Sequence, residues 1–213
     1  MSVEDKSALQ RLHSETRFVE GQYEVPMLWR NETIKLPNNI SLAKKRFAFI
    51  RKRLRADPKL YEQMNDTFQK YIATGKARRM TEEEASNTSN KTFYTPTFPV
   101  FHPDKPKPRV VNDAAAEYRG VSLNSSLVTG PDNLNSLAGV LMRVRIGNIV
   151  LKADIEAMFH QVRTPAGDSD SLRFLWTDDI HSDDPPYTMQ MLVHIFGAKD
   201  SLTCAIHALH QTA

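Results

Sequence analysis

The sequence lacks the features that mark several large classes of protein. It contains one cysteine, Cys204, so no disulfide can form within the chain and a reducing compartment is expected. No apolar run approaches the length of a membrane span, and the first residues lack the apolar core of a secretory signal. There is no glycine-rich phosphate loop, no internal repeat and no Cys/His set with zinc spacing. These absences favour the cytoplasm and argue against a membrane partner.

The composition is otherwise that of a globular protein, with 40% hydrophobic and 25% charged residues in a chain of 213. The net charge of +3 permits a polyanionic partner without requiring one. Much of the positive charge falls in one predicted helix, which begins at Ser41 and ends before Pro58, because the residue before a proline disfavours the α region. Its apolar positions recur at helical spacing and are Ala43, Phe47, Ile50 and Leu54.

The other face of this helix is basic and has two interpretations. It is either a solvated helix surface or a track for nucleic-acid phosphates, where each cation displaces a condensed counterion. Aromatic residues close by keep the second interpretation open. The cations are Lys44, Lys45, Arg46, Arg51, Lys52, Arg53 and Arg55.

Three further helices are predicted, and residues 1–40 and 81–90 are expected to be mainly irregular. The second helix ends near Gly75, the third begins at Gly130, and the last runs to the chain end. Their expected buried positions are Leu60, Met64, Phe68 and Tyr71 in the second helix, Leu134, Leu137, Leu141 and Val144 in the third, and Leu202, Ile206 and Leu209 in the last.

The strand pattern predicts two hairpins and one further strand. The first hairpin lies within residues 94–113 and turns through a segment rich in proline and lysine. The second pairs Leu172–Trp176 with an alternating, half-buried strand, Tyr187–Ile195, across an acidic loop. The further strand is Ile149–Leu151. With the helices, this order predicts an α+β fold in which helices pack on an antiparallel sheet.

The short strand Ile149–Leu151 leads to Asp154. A carboxylate at the end of a buried strand loses hydration, so a metal ion, a basic partner or helix N-terminal amides normally compensate it. The alternative is that Asp154 caps the helical turn that follows. The residues alone leave both interpretations open.

Eight short segments are specific in their combination and in their order along the chain. They are Tyr23–Trp29, Leu36–Asn39, Pro99–Pro103, Arg109–Asp113, Gly120–Asn124, Ala153–Val162, Leu172–Trp176 and His194–Ala198. Together they resemble the reverse transcriptase region of Pao/BEL-type LTR retrotransposons, over nearly the whole chain from about Ser14. The resemblance implies a partial right-hand polymerase. Residues 1–90 would be an N-terminal extension with basic helices leading into the fingers, and residues 91–213 would be the fingers and partial palm.

In that family, a deoxynucleotide is added to a primer 3′-hydroxyl with two Mg²⁺ ions held by carboxylates. The resemblance implies that Asp154 is a catalytic, metal-binding carboxylate, with the backbone carbonyl of Ile155 as a neighbouring ligand. It implies that Phe159 lies beneath the incoming sugar and excludes a 2′-hydroxyl; the alternative is a core aromatic. Arg109 would hold the triphosphate. Phe196–Gly197 would pack against the nascent base pair and the template.

The sequence also departs from the family pattern. The other two metal-binding aspartates belong to a Tyr-x-Asp-Asp hairpin that would follow the last helix, and no such sequence occurs in the 213 residues. Asn112 replaces a bulky apolar residue. Asp200 brings an unusual negative charge to the element where Ser201–Leu202 replaces Ser-Pro. Since one carboxylate cannot position two divalent ions, enzymatic activity stays uncertain, and the chain alone is not expected to polymerise.

The resemblance implies several partners: an RNA or DNA template-primer, deoxynucleotide triphosphates and other parts of a retrotransposon polyprotein. The life cycle of such an element adds the nucleus to the cytoplasm as a compartment. One alternative is a non-catalytic nucleic-acid-binding remnant that uses the basic helix 41–55. Another is a poorly folded product in which Met189, Met191 and Val193 are exposed.

Overall fold

The computed structural model describes residues 2–31, 33–104 and 107–212. They form a mixed structure of helices and antiparallel sheets, which confirms the predicted α+β class. Within these residues, every helix is too short or too polar to cross a membrane.

The start of the chain folds into a helix and a hairpin, so the prediction of an irregular start is wrong here. Helix α1 (Val3–Glu15) begins with a capping box, in which the side chains of Ser2 and Asp5 each accept a hydrogen bond from the other residue's backbone amide. Strands β1 (Arg17–Val19) and β2 (Gln22–Glu24) then pair antiparallel. The local signal for the helix is the Ser-x-x-Asp spacing, because this box satisfies amides that a helix start leaves unpaired.

The two amphipathic helices predicted next are confirmed. Helix α2 (Ile40–Ala56) and helix α3 (Pro58–Ala73) are separated by Asp57. The Asp57 carboxylate caps α3 by accepting a 3.0 Å hydrogen bond from the Leu60 amide, and Pro58 suits the first turn because it has no amide hydrogen to leave unpaired. The buried positions are Ala43, Phe47, Ile50 and Leu54 in α2 and Leu60, Met64 and Phe68 in α3, whereas Tyr71, predicted to be buried, is partly buried at the edge of the core.

A three-stranded antiparallel sheet has the order β3 (Ala77–Arg79), β7 (Tyr187–Met191) and β6 (Arg173–Trp176). The predicted pairing of β6 with β7 is confirmed. The third strand, β3, has no alternating pattern and pairs because β7 presents a free edge to it. From Thr188 onwards β7 is buried on both faces and not half-buried as predicted, and it ends at Met191 instead of the predicted Ile195.

Aromatic side chains join the helices to this sheet. The Phe68 ring of α3 lies 4.5 Å from the Trp176 ring and 5.0 Å from the Phe174 ring, measured between centroids. The resulting core contains residues from both sides of residue 90. It also includes Met189, Met191 and Val193, so the alternative in which these side chains are exposed is wrong.

A short helix and the first predicted hairpin come between β3 and the middle of the chain. Helix α4 (Glu82–Ser86) has a capping box between Thr81 and Glu84, so the predicted loose loop at 81–90 is partly helical. Strands β4 (Thr97–Val100) and β5 (Arg109–Asn112) form the predicted antiparallel hairpin. Lys105 and Pro106 of its predicted turn lie outside the described residues. Helix α5 (Leu123–Ser126) follows.

The segment between α5 and residue 157 corrects two predictions. Helix α6 spans only Leu137–Val144, and none of its residues is buried. The predicted strand Ile149–Leu151 is irregular and exposed. An apolar pattern creates a buried face only where another element covers it, and within the described residues nothing buries this segment. The positions predicted to be buried but found exposed are Leu134, Leu137, Leu141 and Val144.

The C-terminal part of the chain packs against the N-terminal helix α1. A 3-10 helix (Met158–Gln161), helix α7 (Ala166–Ser169) and a second 3-10 helix (Asp170–Leu172) lead to β6. Helix α8 (Ser201–Thr212) buries Ile206 as predicted, but Leu202 and Leu209 are exposed. The reason is that the face of α8 buried against α1 and the segment after β2 carries mainly small side chains. These are Cys204, Ala205 and Ala208, which form a second core cluster with Ala8 and Leu12.

Candidate functional site

Asp154 and Ile155 lie in the exposed, irregular segment that precedes the first 3-10 helix. Asp154 therefore does not stand at the end of a buried strand. It does not cap the helical turn either, because the N-cap position belongs to Ala157, which has a φ of 50°. Within residues 2–31, 33–104 and 107–212, Asp154 belongs to no group of three side chains that could ligate a metal. The next contact with the rest of the protein is at Glu156, whose Oε1 lies 3.6 Å from the Nζ of Lys70 in α3.

The structure brings three of the predicted substrate-binding residues together. The rings of Phe159 and Phe196 have centroids 4.7 Å apart. Gly197 has a φ of 121°, and a Cβ there would overlap the carbonyl oxygen of Asn112, so only glycine fits this approach to β5. Arg109 is exposed at the other end of β5, about 10 Å along the strand from Asn112.

His160 fixes the position of this aromatic pair against the protein body. Its ring lies between Tyr71 of α3, at 5.0 Å, and Phe196, at 5.2 Å, with both contacts edge-to-face. Burial lowers the pKa of His160 to about 4, and the positive charge of Lys76 adds to the effect. The imidazole is therefore neutral near pH 7 and acts as a packing group at that pH.

The cations of α2 divide into two sets, and the first set holds the helix to its neighbours. Arg46 pairs with Asp113 at 3.1 Å, next to β5. Arg51 donates a 2.8 Å hydrogen bond to the carbonyl of Asp184. Arg55 donates to three consecutive carbonyls in the same acidic loop, those of Ile180, His181 and Ser182. These arginines have structural partners, which favours the interpretation as an ordinary helix surface for this half of the basic face.

The second set lies on one exposed line of the helix, since positions i, i+4, i+7 and i+8 share a face. We call it the α2 stripe: Lys45, Phe49, Lys52 and Arg53, all exposed, with Phe49 at 77%. The Arg53 guanidinium lies 5.5 Å from the ring of Phe101, which follows β4. Lys44, beside the stripe, is also exposed. Cations and exposed aromatic rings on one face are suited to the phosphates and bases of a nucleic acid.

A different group of polar side chains is buried where α8 meets the segment after β2. One ring nitrogen of His194, one carboxylate oxygen of Asp200 and the Cys204 sulfur all lie within 4.8 Å of one another, and each residue is at most 1% exposed. This His-Asp-Cys group could bind a metal ion. It combines nitrogen, oxygen and sulfur donors, in contrast to the all-oxygen sets that Mg²⁺ prefers.

The backbone around the group is held by a second buried carboxylate. Asp168 accepts hydrogen bonds from the Met27 amide at 2.9 Å, the Trp29 indole at 2.7 Å and the Lys91 ammonium at 2.6 Å. Both of its oxygens are therefore partnered, and its charge is paired with Lys91. Asp168 is therefore a structural residue that holds the backbone on both sides of Leu28. The Leu28 amide in turn donates a hydrogen bond to Asp200.

Burial raises the pKa of the Asp200 carboxyl and raises that of the Cys204 thiol well above its usual value. The residue spacing alone does not predict this group, because its members are not in a zinc-finger pattern. The sequence contains a partial signal, because Asp200 and Cys204 are four residues apart and hence lie on one face of a helix. Placing His194 beside them requires the turn at Gly197, which is a tertiary feature.

Comparisons with known proteins leave the family of the chain undetermined. No protein-family model matches the sequence, and no curated protein matches it.

Proposed function

We infer that this chain is a fingers and partial-palm piece of an RNA-directed DNA polymerase of the reverse transcriptase type, and that it binds a template-primer without extending it. Its partners in this proposal are an RNA or DNA template-primer and deoxynucleotide triphosphates. The support comes from the order of the eight short segments along the chain and from one geometric observation.

The observation is that predicted substrate-binding residues from separate parts of the chain converge. Phe159 follows the exposed segment and Phe196 follows β7, yet their rings are in contact. Phe196 remains 39% exposed, and its neighbour Gly197 contacts Asn112, at the opposite end of β5 from Arg109. Partly exposed aromatic rings can stack on a base or sugar, and an exposed guanidinium can pair with phosphate oxygens. This arrangement supports binding of a nucleotide or a primer end.

A magnesium site at Asp154 belongs to the same proposal, and the described residues do not complete it. Two Mg²⁺ ions need several oxygen ligands each, and the resemblance assigns one side-chain ligand, Asp154, and one backbone carbonyl, that of Ile155. Asp154 belongs to no ligand cluster in the part of the chain that the structure describes. We therefore expect nucleic-acid binding by these 213 residues without polymerisation.

Binding and extension can be measured on one sample. A fluorescent primer annealed to an RNA template reports binding by anisotropy, and gel analysis reports extension with Mg²⁺ and deoxynucleotides. We expect binding that Phe196→Ala and Arg109→Ala both weaken, together with no extension. Phe18→Ala removes an exposed aromatic ring from β1 and is the matched control, which should bind as the wild type does. Binding that is absent, or that ignores Phe196 and Arg109, would refute the proposal.

The inactivity has its own test within the same experiment. Primer extension by the wild-type chain that Asp154→Ala abolishes would show that the site is completed by ligands other than those identified. Extension that survives Asp154→Ala would point to a contaminating polymerase and would leave the expected inactivity standing.

A second candidate function is non-catalytic nucleic-acid binding through the α2 stripe, favoured by the exposed cations beside Phe49 and Phe101. Here Lys52→Glu should weaken binding and lower the slope of log K against log salt by about 1 for each phosphate that the protein no longer neutralises. Lys6→Glu makes the same change of charge in α1 and is the control. Sensitivity to Lys52→Glu without sensitivity to Phe196→Ala would favour this second function over the first.

A further inference from the structure

We propose that His194, Asp200 and Cys204 supply three protein ligands of a zinc site that links the start of helix α8 to the segment after β7. The three ligands would be the His194 Nδ1, the Asp200 Oδ1 and the Cys204 Sγ. This site is independent of the reverse transcriptase proposal and lies apart from Asp154. Its support comes from three buried groups, each of which has a vacant lone pair or an acidic proton.

The hydrogen bonding of His194 selects its tautomer. Its Nε2 lies 3.0 Å from the carbonyl oxygen of Val25, and since a carbonyl only accepts, Nε2 carries the proton. The Nδ1 is then a bare acceptor, and within the described residues it has no hydrogen-bond partner although His194 is 1% exposed. A histidine that donates one nitrogen to a backbone carbonyl and leaves the other free has the arrangement usual for a metal ligand.

Asp200 shows the same division between its two oxygens. Oδ2 accepts a 2.9 Å hydrogen bond from the Leu28 amide, which orients the carboxylate. Oδ1 is buried and has no partner among the described residues, on a side chain that is fully buried. A carboxylate oxygen without water or a donor is costly, so the fold is expected to supply it with a cation or a proton.

Cys204 completes the set because it lies one helical turn after Asp200. Its sulfur is 3.6 Å from the carbonyl of Pro26, a weak contact that the thiol proton makes. On metal binding, this proton leaves to solvent and the thiolate bonds to the ion. One divalent cation with the Asp200 carboxylate and the Cys204 thiolate gives a group of zero net charge, which a buried site tolerates far better than an unpaired carboxylate.

Zinc fits this donor set better than magnesium does. Zn²⁺ takes imidazole, thiolate and carboxylate ligands in a tetrahedral arrangement, of which these residues supply three, whereas Mg²⁺ prefers six oxygens. A buried site of this kind is formed as the chain folds, because the unfolded chain does not hold the ligands together. The expected consequence is that Zn²⁺ raises the thermal midpoint of the folded protein.

The wild-type chain alone provides the first test. The untagged 213-residue protein is freed of metal with a chelator and titrated with Co²⁺, which reports ligands by absorbance. Since Cys204 is its one cysteine, any thiolate-to-cobalt charge-transfer band must come from this residue. We expect the band at one equivalent of Co²⁺, its loss on addition of Zn²⁺, and one zinc per chain by native mass spectrometry. No band and no bound zinc would overturn the proposal.

Single variants then identify the ligands. His194→Gln, Asp200→Asn and Cys204→Ser should each lower zinc affinity by more than about 100-fold, because each removes a ligand and not an outer group. His207→Gln is the matched control: it removes another buried histidine, one that packs on His13, and should keep the zinc. Zinc binding that survives the three ligand variants would overturn the assignment. If a variant does not fold, the wild-type cobalt spectrum still decides.

Discussion

Helix α3 and helix α6 both present apolar side chains at helical spacing, and they differ in what lies against them. In α3, Leu60, Met64 and Phe68 are at most 2% exposed because the sheet and α2 cover them. In α6, no residue is buried, and Leu137 is 72% exposed. The same local pattern therefore leads to a core in one region and to an apolar surface in the other.

The difference shows where the stability of this chain is located. Removing apolar side chains from water is the main favourable contribution to folding, at about 25 cal/mol per Å². The body formed by α2, α3 and the sheet gains this contribution, and the segment from Leu134 to Ile155 gains little of it. Substitutions of one kind should thus have effects on stability that depend on the region in which they are made.

The largest difference is expected for one substitution made in both regions. Leu54→Ala removes a fully buried side chain from α2 and should lower the free energy of unfolding by about 2–5 kcal/mol. Leu141→Ala, in α6, removes a side chain that is 50% exposed and should change it by about 0.5 kcal/mol or less. Urea unfolding followed by tryptophan fluorescence measures both, because Trp176 lies in the core.

Equal losses of stability for the two leucine variants would mean that the α6 segment is covered in solution. A concentration-dependent loss for Leu141→Ala alone would identify the cover as a second copy of the chain, since association links stability to concentration.

Local sequence patterns predicted the body of the protein and failed in the exposed segment. The spacing of Phe47, Ile50 and Leu54 predicts α2 because a 3.6-residue period leaves one face to bury. The run Ile149–Leu151 has the composition of a strand, but a strand also needs a neighbour for its backbone hydrogen bonds, and the described residues provide none. A periodic pattern identifies the residues that can be buried, and only the assembled fold decides which of them are.

The candidate sites divide in the same way. Phe159, Phe196 and the basic residues of α2 could be proposed from the resemblance to reverse transcriptases and from helical spacing. The group of His194, Asp200 and Cys204 could not, because it depends on a turn at Gly197 and on the backbone of Leu28. Helices and strands are marked in the sequence by a periodic pattern of apolar residues, whereas contacts between residues distant in sequence have no such pattern.

His160 lies between the packed body and the exposed segment, and it should give the protein a pH-dependent stability. Its pKa is about 4 in the folded chain against 6.5 for an ordinary histidine, so between those values the unfolded chain binds a proton that the folded chain does not. Stability is therefore fully present above pH 6.5 and is lost as the pH falls towards 4. The loss should be about 3 kcal/mol.

Urea unfolding at several pH values measures this effect as a difference between wild type and His160→Gln, which has no proton to bind in this range. The variant should lose much less stability than the wild type between pH 6.5 and pH 4. His181→Gln, in the exposed acidic loop, is the control and should behave as the wild type does. Parallel curves for wild type and His160→Gln would show that the His160 ring opens to water in solution, together with the Phe196 ring that packs on it.

The smallest effect on stability is expected at Asp154. It distinguishes an exposed, irregular segment from a buried strand that ends at Asp154. The exposed carboxylate should tolerate Asp154→Asn with a change in unfolding free energy of about 0.5 kcal/mol or less. Asp168→Asn is the buried comparison and should cost about 1–3 kcal/mol or more, because it removes the charge that Lys91 pairs with. If Asp154→Asn instead raised stability by more than about 1 kcal/mol, the side chain would be a buried, uncompensated charge. The strand from Ile149 would then be formed in solution, and Asp154 would stand where a metal ion is needed.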